Sequence, residues 1–106
     1  MKPALRAVLA AALLSGAAAA HAAGKTHAVR IEGMKFVPER VEVAAGDTVV
    51  WTNKDIVPHT VTAAQAKVES GDLQTGKRFK LVARNKGEMS YICRLHPVMK
   101  GVVVVK

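Results

Sequence analysis

The sequence predicts an all-β fold, two stacked sheets built from about seven to eight short strands. Three observations predict it. Short runs alternate apolar with polar residues, or are rich in valine, threonine and aromatic side chains, as half-buried pleated surfaces require. Turn signals recur between those runs at Gly33, Ala45-Gly46-Asp47, Gly71 to Gly76 and Asn85-Lys86-Gly87. Beyond the leader, helix is expected only over Ala63 to Val68, as one or two turns.

The start of the chain stands outside this pattern. Lys2 and Arg6 make a positive end, Leu5 to Leu14 is apolar with no acid, and Ala20-His21-Ala22 is a small-x-small cleavage pattern. This reads as a secretory signal peptide over residues 1–22, leaving a single mature domain over 23–106. The later runs are too short to span a membrane, so an exported protein, in the periplasm of a bacterium, is expected.

Thr26 to Ile31 alternates and reads as the first strand. Gly33 breaks it, and Pro38 marks a bend or edge. Val41–Ala44 and Thr48–Asn53 flank the Gly46 turn and read as a hairpin. Lys54 to Pro58 is loop, followed by a short strand from His59 to Thr62. Arg78 to Ala83 sets Phe79 and Leu81 on one face; Met89, Tyr91 and Cys93 share a face of the next strand. Gly101 lets the chain turn, and Val102 to Val105 reads as a central strand because it is apolar on both faces. With four aromatics in the whole chain, valine must supply most of the core.

The formal charge of the 106-residue chain is +8. Export and the scarcity of aromatics for base stacking argue against nucleic acid. The charge suits an acidic protein partner instead. A lone cysteine, Cys93, cannot form an internal disulfide, and in an oxidising compartment a free thiol is vulnerable unless a metal takes it.

Cys93-Arg94-Leu95-His96-Pro97-Val98-Met99 places thiolate, imidazole and thioether at equal spacing, and His59 upstream can complete a set of four. Zinc sites rarely recruit methionine. One thiolate, two imidazoles and a weak thioether suit copper in both its Cu(I) and Cu(II) states. A closed set of this kind leaves no open position with a base beside it, so hydrolytic catalysis is not expected. Met34 and Met89 are assigned to the core, and His27 to a solvated strand end.

On Phe36, Gly46-Asp47-Thr48-Val49 with Trp51 and Asn53, Pro58-His59, Gly87, Tyr91-x-Cys93, His96-Pro97 and Met99, the chain resembles the cupredoxins, specifically their amicyanin and plastocyanin-like branch. The resemblance implies a Greek-key sandwich holding one type 1 copper. His59 and His96 bind through Nδ1, Cys93 is the strong equatorial ligand, and Met99 is axial. It also implies electron shuttling by a monomer between protein partners, a dehydrogenase as donor and a c-type cytochrome as acceptor. Copper delivery without electron transfer is the alternative function.

Two positions depart from the branch. Thr60 stands where asparagine is common, and its hydroxyl can make one bond between the ligand loops but no paired amide network. Leu95 replaces a common proline and so carries an N–H; aimed at the Cys93 sulfur, that N–H would raise the reduction potential. An apolar docking patch is expected from Val57, Pro58, Pro97 and Val98, with Lys54, Arg94 and Lys100 as its basic rim.

Overall fold

Alternation dictates the first layer of the structure, a computed structural model that describes residues 24–106; the expected leader lies outside the described residues. In β1 (Thr26–Ile31) and β4 (Thr48–Asn53), Val29, Ile31, Val49, Trp51 and Asn53 turn inward and their neighbours outward. β2 (Phe36–Val37) and β7 (Arg78–Val82) complete a sheet in the order β2-β1-β4-β7. The second sheet runs β3-β9-β8-β5-β6, from β3 (Arg40–Val43), β5 (Thr62–Ala63), β6 (Val68–Glu69), β8 (Gly87–Cys93) and β9 (His96–Val105). Nine strands are thus described rather than seven or eight, because β2, β5 and β6 are two-residue pieces. The chain changes sheet after β2, β3, β4, β6 and β7, the connectivity of a Greek-key sandwich.

The expected hairpin across Gly46 is corrected. β3 pairs parallel with β9 in one sheet, while β4 pairs parallel with β1 in the other. The turn between them crosses from layer to layer. Asp47 makes this possible: its carboxylate accepts the amides of Lys25 at 2.9 Å and Ala44 at 3.0 Å, and His27 Nε2 lies 2.9 Å away. Those bonds, the His27 one foremost, hold the Asp47 carboxyl down to about 2. His27 is therefore tied to the turn rather than solvated.

Between the layers, the four aromatics form one line of ring contacts, edge-on from Phe36 through Tyr91 to Trp51 and tilted from Trp51 to Phe79. Phe36 meets Tyr91 at 4.7 Å between centroids, Tyr91 meets Trp51 at 5.3 Å, and Trp51 meets Phe79 at 5.9 Å. Val29, Val43, Val49, Val61, Val103 and Val105 fill the space around them, as the composition requires. Gly101 is not a turn residue. It lies in β9 opposite Tyr91, whose ring occupies the place a Cβ would take. Met34 is also corrected: it is 43% exposed on a loop, whereas Met89 packs against the core.

Candidate metal centre

Strand alternation points Cys93 inward behind Tyr91, and it is wholly buried at the end of β8. Arg94 and Leu95 then reverse the chain, so that Cys93 faces His96 across a tight hairpin. The seven-residue stretch is therefore not a free loop, and β9 begins at His96 instead of Val102. Ile92 pairs with Lys100, so Pro97, Val98 and Met99 bulge out of the ladder between the two pairs. Proline, with no N–H to offer a ladder, suits that position. The bulge buries Met99 beside the hairpin while leaving Val98 88% exposed.

His59 arrives from the other layer through a loop that Asn53 organises. The wholly buried Asn53 donates from its amide to the carbonyls of Val57 at 2.9 Å and Leu73 at 2.8 Å, and accepts from the Asp55 amide at 2.9 Å. His59 exchanges backbone hydrogen bonds with Leu73, at 3.2 and 2.8 Å. Its Nε2 lies 2.8 Å from Asp55 Oδ2. Burial works against charging Asp55, yet the amides of Met34 and Gly33 and the His59 ring hold its carboxyl below the usual carboxylate range. A carboxylate at Nε2 accepts that nitrogen's N–H, which leaves Nδ1 as the nitrogen with a free lone pair.

That lone pair faces the sulfur. His59 Nδ1 and His96 Nδ1 each lie 3.6 Å from Cys93 Sγ, and one ligand atom from each residue falls within 4.8 Å of the others. Bonds of about 2.0–2.3 Å to a shared ion, meeting at a roughly tetrahedral angle, produce this separation. The donor set fits copper: one cysteine sulfur, two imidazole nitrogens and the buried thioether of Met99.

Thr60 ties the two halves together. Its N–H donates to Cys93 Sγ at 3.3 Å, and its hydroxyl accepts the Arg94 amide at 2.8 Å. The single bond expected of this hydroxyl is present, and a second runs onward to Thr62 Oγ1 at 2.8 Å. Among the described residues the amide donor on the sulfur is Thr60, not Leu95, so the role expected of the Leu95 N–H is not seen. The basic rim is corrected too. The Arg94 guanidinium is engaged by Glu69 at 3.2 Å and Asp72 at 3.3 Å, leaving Lys54 and Lys100.

A cupredoxin-like domain model matches residues 5–105. The chain is a cupredoxin. It is 37% identical to the amicyanin-alpha of Methylorubrum extorquens over 79% of this chain and 74% of that one. It is 32% identical to the amicyanin of Paracoccus denitrificans, over 84% and 72%. Among solved structures, the Cu(I) form of an amicyanin variant superposes with a TM-score of 0.74 at 31% identity, over 83% of the cupredoxin and 89% of the variant. A copper-containing nitrite reductase from Thermus scotoductus superposes with a TM-score of 0.71 at 26% identity, over 76% of this cupredoxin but only 22% of the reductase. The cofactor of this cupredoxin is one type 1 copper, and with amicyanin and plastocyanin relatives the chain stands among the blue copper electron carriers.

Sequence reasoning missed the roles of Asp55 and Asn53. The signal on offer was a loop carboxylate four residues before the upstream histidine, too common a feature to single Asp55 out.

Proposed function

We propose that this cupredoxin is a periplasmic electron shuttle, exported by a leader over residues 1–22 and folded over 23–106. In this reading its copper is held by His59, Cys93 and His96, with Met99 as the weak axial ligand. The observation that carries it is the pair of imidazole nitrogens at 3.6 Å from one buried cysteine sulfur. Bound copper supplies a one-electron Cu(I)/Cu(II) couple. The chain's own part is to hold the ligands still in both states. Asp55 orients His59, Thr60 orients Cys93, and the short hairpin ties His96 to Cys93.

Exposure chooses the electron's exit. His59 and Cys93 are wholly buried, while His96 is half-buried. Leu95 and Val98 flank it along the chain, and Met34, Ile56 and Val57 belong to the loops at the His59 end of the site; with Val82 these are the large exposed apolar residues of the described chain. An apolar collar around a ligand edge excludes water and suits brief docking of a redox protein. Lys54 and Lys100 favour acidic partner surfaces. A dehydrogenase donor and a c-type cytochrome acceptor fit the amicyanin likeness. The closed site favours electron transfer over copper delivery.

Reconstitution with Cu(II) tests the assignment. Intense thiolate-to-copper absorption toward the red is expected, lost in Cys93→Ser and altered in Met99→Leu. A colourless loaded protein overturns it. Rapid removal of copper by a chelator, with slow electron exchange in stopped flow, would favour delivery.

A further inference from the structure

The polar contacts leaving the metal centre close on themselves. Arg94, next after Cys93, donates its backbone N–H to Thr60 Oγ1 at 2.8 Å. Thr60 Oγ1 lies 2.8 Å from Thr62 Oγ1, which donates to Glu69 Oε1 at 2.9 Å. Glu69 in turn accepts the guanidinium of the same Arg94, at 3.2 and 3.3 Å. Proton counting sets the direction. A carboxylate only accepts, so the one hydroxyl proton of Thr62 goes to Glu69, and Thr60 must donate to Thr62. The bonds therefore run one way from the Arg94 amide to the Glu69 carboxylate, an order in which successive dipoles strengthen one another.

Strand register builds the ring. Thr62 lies opposite Ile92 of β8 on one side and Glu69 of β6 on the other. Glu69 thus reaches across Thr62 to the residue that emerges beyond the end of β8. The amide of Gly71 at 2.7 Å on Glu69 and Asp72 at 3.3 Å on Arg94 brace its outer end. At its inner end sits the wholly buried Thr60, whose N–H reaches the thiolate. An exposed ion pair contributes little by itself. This one is the outer link of a ring whose inner link touches the sulfur.

We propose that Thr62 and the Glu69–Arg94 pair are positioning residues for the copper centre, keeping Thr60 N–H on Cys93 Sγ and so setting the electron density of the thiolate. The proposal rests on the copper reading above. An amide donated to the sulfur favours the electron-rich reduced state, so opening the ring lowers the reduction potential.

Thr62→Val removes the hydroxyl with little change of shape and none of charge. In the copper-loaded chain it is expected to lower the midpoint potential, shift the thiolate-to-copper absorption and speed copper loss to a chelator about tenfold. In the copper-free chain it is expected to accelerate hydrogen exchange of the Thr60 and Arg94 amides. Thr62→Ser should restore all four. Combined with Glu69→Ala, the effect on Arg94 exchange should fall short of the sum, because either change opens the same ring. Glu42→Gln, in the exposed pair that Glu42 makes with Arg40 on β3, should change none of them. Parental potential, spectrum and exchange in Thr62→Val, or strict additivity in the double variant, overturns the proposal. A parent that never shows thiolate-to-copper absorption sinks the copper reading instead; amide exchange still decides the ring.

Discussion

One carboxylate oxygen of Asp55 holds both the Met34 amide, at 3.0 Å, and the far nitrogen of His59, at 2.8 Å. Removing it with Asp55→Ala frees the ring to rotate and takes a negative charge from beside the copper. Copper affinity should fall about 10–100-fold, the usual cost of losing a ligand's orienting partner. The reduction potential should rise, because the lost charge stabilised Cu(II) more than Cu(I). Chelator competition and voltammetry check both; an unchanged potential would show that Asp55 only builds the loop. Asp47 gives a second prediction at this scale. Its folded carboxyl titrates at about 2, below the ordinary 3.8. Between those values the unfolded chain binds the extra proton, so this stabilisation is complete above about pH 4 and is lost as pH falls toward 2. Urea melts at stepped pH should show a shallower acid limb in Asp47→Asn than in the parent. The proposed ligands stood out as residues because cysteine, histidine and methionine at even spacing are rare together. Asp55 did not, because one loop carboxylate looks like any other until a ring is placed against it.

At the scale of elements, β9 carries the most. The valine run at its end announced a buried strand, and the structure puts it between β3 and β8. Its first half was hidden, because Pro97 and the bulge break the alternation by which strands are recognised. Gly101 sits in the middle of this strand under the Tyr91 ring. Gly101→Ala should force that ring off its Trp51 and Phe36 contacts and cost about 1–3 kcal/mol, as overpacking does. Denaturant titration measures it; a loss below a few tenths would mean the ring moves freely. The supposed hairpin between β3 and β4 failed for a different reason. A Gly-Asp turn between two alternating runs looks the same whether it joins neighbours or crosses between layers, and only the pairing partners tell them apart.

Across the whole molecule, charge is unevenly spent. Glu32, Glu42, Asp47, Asp55, Glu69 and Asp72 are all engaged by cations or histidines of the chain itself. Lys77, Arg78, Lys80, Arg84 and Lys86, on β7 and its flanks, make no ion pair among the described residues. β7 is an edge strand, and its cations discourage pairing with another chain. They also leave a net positive field. Oxidation of the Cu(I) protein by hexacyanoferrate(III), an anion, should slow as salt rises from about 0.01 to 0.1 M, where the screening length shrinks from about 30 to 10 Å. A cationic cobalt complex should show the opposite trend. Stopped-flow rates indifferent to salt would remove electrostatic steering and leave the copper centre untouched.

The sequence by itself determined the all-β class, the valine-built core and the strong positive charge, and it singled out the four residues proposed as metal ligands. Each of these follows from composition or from spacing along one segment, which are local properties. Tertiary structure alone decided which strands share a layer, that Met99 enters through a bulge, that Asp55 braces His59, and that the exposed Arg94 is held by Glu69 and Asp72. Those depend on which residues the fold brings to hydrogen-bond distance, whether 4 positions apart as for Asp55 and His59 or 25 as for Glu69 and Arg94, and a linear pattern carries no record of such meetings.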